Sequence, residues 1–382
     1  MPDATLGSGK LGHFVKTGPQ SGVLRAVRAF LRESALWPAV FRRSGTAPRA
    51  AFLPSKGREM SSLLRIYHVA RALESRGWAV VVLPAGLTLE QRHRLLARFA
   101  PDVVVMQGAR HALNRPALYP GFRIAYDMDD ADFHLPHLAA AVKEAMGGVD
   151  LVLAGSRYVA EWCRAQGAVA HVVWTGTPPS DRRPVPQADR PPVVAWAQSA
   201  PVDYAEERAF VAGVMRRVAL QRPGVRLRLF GRRPGDGDDI LAPFAAAGVQ
   251  VEWLPMMPYH LFLRALDDVA VGLSPICPVT PFSRGKSFGK VLAYLDRGVP
   301  VVASDEADHG LFFTPESGVI SNDPAVWGDA VLRLLDDAKE RQAMADAGGR
   351  AFRKRLSTEA AATEIDAALR GLLAGHLVDS AA

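Results

Sequence analysis

The sequence predicts an α/β protein made of two successive parallel-sheet domains, and three observations carry that reading. Short apolar runs alternate with longer helical stretches from residue 49 onward, the pattern of a parallel sheet with crossover helices. The alternation stops at 177–192, TPPSDRRPVPQADRPP, where prolines and charges without an apolar period read as a linker, and then it restarts. A chain of 382 residues also exceeds what one hydrophobic core usually supports, so two domains of ordinary size are expected.

Strands are expected at 50–53, 79–83, 103–106, 123–126, 151–154 and 171–174 in the first half. The second half places them at 193–196, 226–230, 251–253, 269–273, 299–303 and 318–320. The clearest helix is 61–76, where Leu64, Tyr67, His68 and Arg71 share one side, His68 reads as a packed residue, and Gly77 supplies the stop. Helices at 324–336, 338–355 and 358–377 close the chain, the last free to pack back on the first domain. The expected division is a basic arm at 1–48, a first domain at 49–185 completed by 357–378, and a second domain at 190–356. Neither half carries GxGxxG after its first strand, and the early GSGKL lacks the spacing of a P-loop.

Hydrophobic residues make up 49% and charged residues 22%, a folded rather than a disordered composition. No apolar run is long enough to span a bilayer. The opening residues have no apolar core behind their charges, so a cytoplasmic protein without a secretory signal is expected. Cys163 and Cys277 are the only cysteines, too few and too far apart for a disulfide framework or a zinc site. The net charge of +7 is concentrated at one end: residues 1–58 hold ten Lys or Arg against Asp3 and Glu33. A basic arm on a neutral body fits weak contact with an anionic membrane surface through residues 23–43, and not a nucleic-acid channel. Leu24, Val27 and Leu31 recur there at helical spacing beside Arg25, Arg28 and Arg32, with Arg42 further on; packing of this helix on the body is equally open. Trp37 and Phe41 are either core or membrane-facing.

The chemistry is expected in 281–305, PFSRGKSFGKVLAYLDRGVPVVASD. A turn at Gly285 leads into a helix expected to start at Lys286 and Ser287, and a helix start presents unpaired N–H groups and partial positive charge. Arg284, Lys286 and Lys290 add full charges and Ser287 a hydroxyl, so a diphosphate is expected at the turn; the alternative is a solvated basic face. In 125–134, AYDMDDADFH, carboxylates follow a strand end, which suits activation of a hydroxyl or stabilisation of an oxocarbenium-like centre by Asp127, Asp129 or Asp130. Helix capping by Asp130 and Asp132 is the competing reading, and with no matching second cluster no metal is expected. The loop 54–60, PSKGREM, sets Lys56, Gly57, Arg58 and Glu59 after the first strand, either bordering an acceptor or forming an ordinary turn.

The run 281–305 resembles the signature region of GT-B glycosyltransferases of the family 4 type, in the variant reading RGKSxxKxLxYxxxGVPVVAS. RIYHVARALESRGWAV (65–80), VDLVLAGSRYVAEWCRAQG (149–167), VVAWAQS, LRLFG and WGDAVLRLLDD resemble further segments of that family in the same order, over about 49–370. The resemblance implies two facing Rossmann-like domains with an interdomain cleft, the donor being held by the second. It implies transfer from a nucleotide-diphosphate sugar to a glycan or lipid-linked acceptor, retaining and metal-independent, with no cofactor, as in bacterial surface polysaccharide synthesis. The loop 54–60 would then border the acceptor, and Ser199, Arg232 and Pro255 would stand by the nucleoside. The sequence departs from the family where glutamates usually occupy the positions of Lys286 and Ala293. Ala293 cannot accept a ribose hydrogen bond, and the Arg and Lys usual near 197–201 are absent, with Arg232 and Arg233 as possible substitutes.

Overall fold

The computed structural model describes residues 31, 33–41, 45–57 and 59–376. Most of the basic arm, including Arg25, Arg28, Arg32 and Arg42, and also Arg58, lies outside them. Two six-stranded parallel sheets follow each other along the chain. The first comprises β1 (Arg49–Leu53), β2 (Ala79–Val82), β3 (Val103–Gln107), β4 (Ile124–Met128), β5 (Leu151–Ala154) and β6 (Ala170–Val172), in the order β2-β1-β3-β4-β5-β6. The second comprises β7 (Val193–Trp196), β8 (Arg226–Arg232), β9 (Gln250–Pro255), β10 (Val271–Ser274), β11 (Val301–Ala303) and β12 (Val319–Ile320), in the order β12-β11-β10-β7-β8-β9. Every predicted strand is present within a few residues, because strands covered on both faces by helices must be continuous apolar runs.

In each sheet the strand order reverses once, between β1 and β3 and between β7 and β10. Crossovers on either side of such a point run in opposite directions and leave a crevice at the carboxyl ends of the strands. The two crevices face each other across one interdomain cleft of about 580 Å³.

The helical stretch after β1 runs through Met60–Ser62, a π-helical turn at Leu63–Tyr67 and His68–Glu74. Its buried face is Ser62, Arg65, Ile66, Val69, Ala70 and Leu73, not the predicted Leu64, Tyr67, His68 and Arg71 face, of which only Leu64 is fully buried. Ile66, Val69 and Leu73 meet Ile365, Leu369 and Leu372 of the C-terminal helix Thr358–Ala374, which returns to the first sheet. Burying each such aliphatic side chain contributes about 1.5–3 kcal/mol. Trp78 Nε1 donates to Asp366 at 2.6 Å, adding a polar tie.

The chain crosses between domains twice, and the crossings are hydrogen-bonded to each other: Thr177 N–H donates to the Leu356 carbonyl and Thr358 N–H to the Thr177 carbonyl, both at 3.1 Å. A Cβ on Gly176 would sit 2.2 Å from the Ser357 carbonyl oxygen, so only glycine allows this approach. The described part of the N-terminal helix packs on the body. Val40 is buried, Leu36 and Trp37 pack beside it, and buried Glu33 accepts from Arg94 at 3.0 Å and Gln91 at 2.8 Å. Phe41 remains half-exposed under the Arg98 guanidinium.

Candidate active site

The predicted helix start is misplaced by three residues. Thr280 and Ser283 form a capping box that closes a short turn, Pro281–Arg284, and the next helix is Gly289–Asp296 with Phe288 at its N-cap. Lys286 and Ser287 therefore stand in the connecting turn, not in the helix. Phe288 offers no side-chain cap to the N–H groups of Gly289 and Lys290 that open the helix, and Ser287, Phe288, Gly289 and Lys290 line the cleft there. Arg284 is exposed and does not line the cleft, whereas Gly285 is buried. A Cβ on Gly285 would lie 2.5 Å from Ala131 Cβ, so its role is to let the turn touch the loop after β4 of the other domain.

The two lysines of the turn differ in character. Lys290 Nζ lies 3.2 Å from Glu207, which is buried and also takes Gln198 Nε2 at 3.3 Å. Burial lowers the Lys290 proton affinity against the pull of Glu207. Lys286 stands over the Tyr204 ring, its Nζ 5.1 Å from the centroid, and among the described residues no carboxylate pairs with it. It is the cation on this wall left available to an anionic ligand.

Across the cleft the three predicted carboxylates have three different surroundings. Asp127 is buried beneath the cleft floor and paired with Arg65, whose Nη2 lies 2.5 Å from Oδ1 and whose Nε lies 3.0 Å away. Burial pushes the Asp127 carboxyl above its usual range despite that partner. It does not line the cleft, because it lies within β4, buried and committed to Arg65. Asp129 lines the cleft. Its Oδ1 accepts from Thr175 at 2.5 Å and its Oδ2 from Ser287 at 3.4 Å, bringing the carboxylate and the lysine-bearing turn together across the domain boundary.

Asp130 also lines the cleft and is held by Arg110 at 2.7 Å, which grips Asp132 at 2.5 Å. Neither Asp130 nor Asp132 caps a helix with its side chain, because both are committed to that guanidinium. Burial and the neighbouring Asp129 charge push the Asp130 carboxyl up to about 6. The folded state thus holds this proton at a pH where the unfolded chain has released it. Its contribution to stability is full below the unfolded value near 3.8 and is lost as pH rises through about 6. Asp130→Asn is expected to flatten the change in melting temperature between pH 5 and 7.5; an unchanged profile contradicts that assignment.

The remaining predicted residues divide likewise. Ser199 and Pro255 line the cleft at the ends of β7 and β9. Arg232 does not: it turns outward to Asp238 at 2.8 Å and stacks over Trp253. Arg233 is exposed, with a contact of 3.5 Å to the Ser199 carbonyl. Ala293 is buried among Leu292, Tyr294 and Phe352, so its position faces the core. In the loop after β1, Lys56 pairs with Glu59 at 3.0 Å and Gly57 is exposed, all outside the cleft, while Met60, Ser61 and Leu64 just beyond line it. The local sequence singled out none of Arg65, Arg110, Thr175, Tyr204 and Glu207, because each acts through a partner distant along the chain. Among the described residues no group of three or more His, Cys, Asp or Glu side chains is placed to hold a metal ion, and no helix is long and apolar enough to cross a membrane.

No protein-family model and no curated protein sequence matches this chain. Solved structures do. Sucrose-phosphate synthase from Thermosynechococcus elongatus superposes with a TM-score of 0.66 at 14% identity, covering 86% of this chain and 100% of that one. HepE of Anabaena, determined in complex with UDP and glucose, gives 0.61 at 15% identity over 85% of this chain and 100% of that one. A putative UDP-N-acetylglucosamine 2-epimerase from Listeria monocytogenes gives 0.55 at 13% identity over 86% and 96%. The chain has the GT-B fold. At these identities the likeness speaks for the arrangement of two Rossmann-like domains about a cleft, and the chemistry rests on the residues that line it.

Proposed function

We propose that this protein is a glycosyltransferase of the family 4 type, moving a sugar from a nucleotide-diphosphate donor to a glycan or lipid-linked acceptor. The observation that carries the reading is the meeting of Lys286, Ser287 and the open start of helix Gly289–Asp296 with Asp129 and Asp130 across the cleft between the two sheets. One wall suits a diphosphate and the other suits positive charge developing on a sugar. As the bond from the anomeric carbon to the diphosphate oxygen breaks, Lys286 and the helix amides stabilise the charge gathering on the leaving group. Asp129 and Asp130 oppose the oxocarbenium-like carbon. With retention, the acceptor hydroxyl forms the new bond on the same face and gives its proton to the departing diphosphate. No metal is needed in this scheme, since the lysine and the helix end hold the diphosphate.

The ligands of a structural neighbour support the donor class: HepE was determined with UDP and glucose. The acceptor class, a role in bacterial surface polysaccharide synthesis and a cytoplasmic site belong to the same proposal, as does contact of residues 23–43 with anionic lipid. Calorimetric titration with UDP, GDP, ADP and their sugar conjugates tests the reading. Micromolar binding of one family, with release of its diphosphate on turnover, is expected; no binding across the set overturns it. A non-catalytic sugar-nucleotide binder is favoured by one observation, the buried alanine at 293 where the resembling family has a ribose-binding carboxylate. Binding with no turnover would select that reading, and formation of an isomeric donor without acceptor would select an epimerase.

A further inference from the structure

One side chain of the cleft has no part in the phosphate wall or the carboxylate wall. His309 follows β11, opens the short helix His309–Phe312, is 2% exposed and lines the cleft. Its Nδ1 lies 2.9 Å from the Ser304 carbonyl oxygen. A carbonyl only accepts, so Nδ1 carries the hydrogen and donates it. Burial lowers the proton affinity of the ring, which leaves it neutral with a lone pair on Nε2. No protein group among the described residues takes that lone pair.

The ring is also held in place. Phe288 and Phe313 flank it at 5.6 and 6.0 Å between centroids. The preceding Asp308 is buried and its Oδ2 accepts from Arg157 N–H at 2.9 Å and Trp174 Nε1 at 2.7 Å, both in the first-sheet half. His309 thus stands on a segment tied to both halves of the molecule.

Its place along the sheet says what it would meet. The strand order β9-β8-β7-β10-β11 sets the cleft loops in a row. Pro255 ends β9, Gly231 is the next-to-last residue of β8, Ser199 follows β7, Lys286 and Lys290 follow β10, and His309 follows β11. A donor with its diphosphate at the lysines and its nucleoside toward β8 and β9 extends its sugar toward β11. We infer that His309 is a specificity-determining residue that accepts, through Nε2, a hydrogen bond from a hydroxyl of the donor sugar. The inference rests on the nucleotide-sugar reading of the cleft.

His309→Phe keeps an aromatic ring in the slot and removes the acceptor; His309→Gln restores an acceptor oxygen. Calorimetry would compare UDP-glucose, UDP-N-acetylglucosamine, GDP-mannose and ADP-glucose with UDP, GDP and ADP, using variants whose melting curves match the parent. For the pair the parent binds, His309→Phe is expected to weaken the sugar conjugate about three- to tenfold, the worth of one hydrogen bond, and the free diphosphate less than about twofold. His309→Gln is expected to recover part of the loss. Equal weakening of conjugate and diphosphate, or none of either, overturns the role of His309 alone. Failure of the parent to bind any member overturns the nucleotide-sugar reading and this inference with it.

Discussion

Lys286→Ala is expected to lower sugar transfer by about a hundredfold or more, the scale found when one preorganised donor is removed from a developing oxyanion. The ammonium rests on the Tyr204 ring and has no carboxylate partner among the described residues, so its loss leaves no buried charge uncompensated and the melting temperature should hardly move. Lys290→Ala makes the contrast, because it strips Glu207, 2% exposed, of its cation and is expected to destabilise the second domain. Steady-state rates with melting curves for both variants separate the two roles. Turnover of Lys286→Ala equal to the parent would remove the proposed diphosphate site.

Arg65→Ala is expected to be the most destabilising single change in the first domain, by about 3–5 kcal/mol. Arg65 is 3% exposed, and besides Asp127 it donates to the Val173 carbonyl at 2.5 Å and to Thr175 Oγ1 at 3.3 Å. One guanidinium therefore ties β4 to the chain leaving β6, and through Thr175 it steadies the Asp129 carboxylate. Removing it leaves Asp127 charged in an apolar interior or forces that carboxyl to take a proton. Urea denaturation measures the loss. The double change Arg65→Met with Asp127→Leu should recover much of it, since a buried ion pair can be exchanged for apolar packing at little cost. A mild effect of Arg65→Ala would mean that water reaches the pair.

The difference between Asp127 and Asp129 shows what local sequence can convey. AYDMDDADFH marks a strand running into a carboxylate-rich loop, which is where the carboxylates stand. Strand alternation sends Asp127 and Asp129 the same way along β4, yet the chain leaves the strand after Met128, so Asp129 opens to the cleft while Asp127 stays under it. The decisive partner, Arg65, sits in a helix where a mid-sequence arginine reads as solvated. Arg232 is the converse case: at the end of β8 it has the right place for a ligand, but Asp238, six residues on, captures it.

What the sequence by itself determined is the architecture. Twelve apolar runs separated by helices admit few arrangements other than two doubly covered parallel sheets, because a parallel strand buried on both faces cannot be polar and its crossover cannot be short. It also marked the glycine and lysines of 285–290 as a cationic turn. Only the tertiary structure decided which of those groups face the cleft. Lys286 rests on Tyr204 and Lys290 pairs with Glu207, partners some eighty residues back along the chain, while Arg284 turns to solvent and His309 lines the cleft. Charge and hydrogen-bond partners act over a few ångströms in space, and spacing along the chain carries no record of that distance.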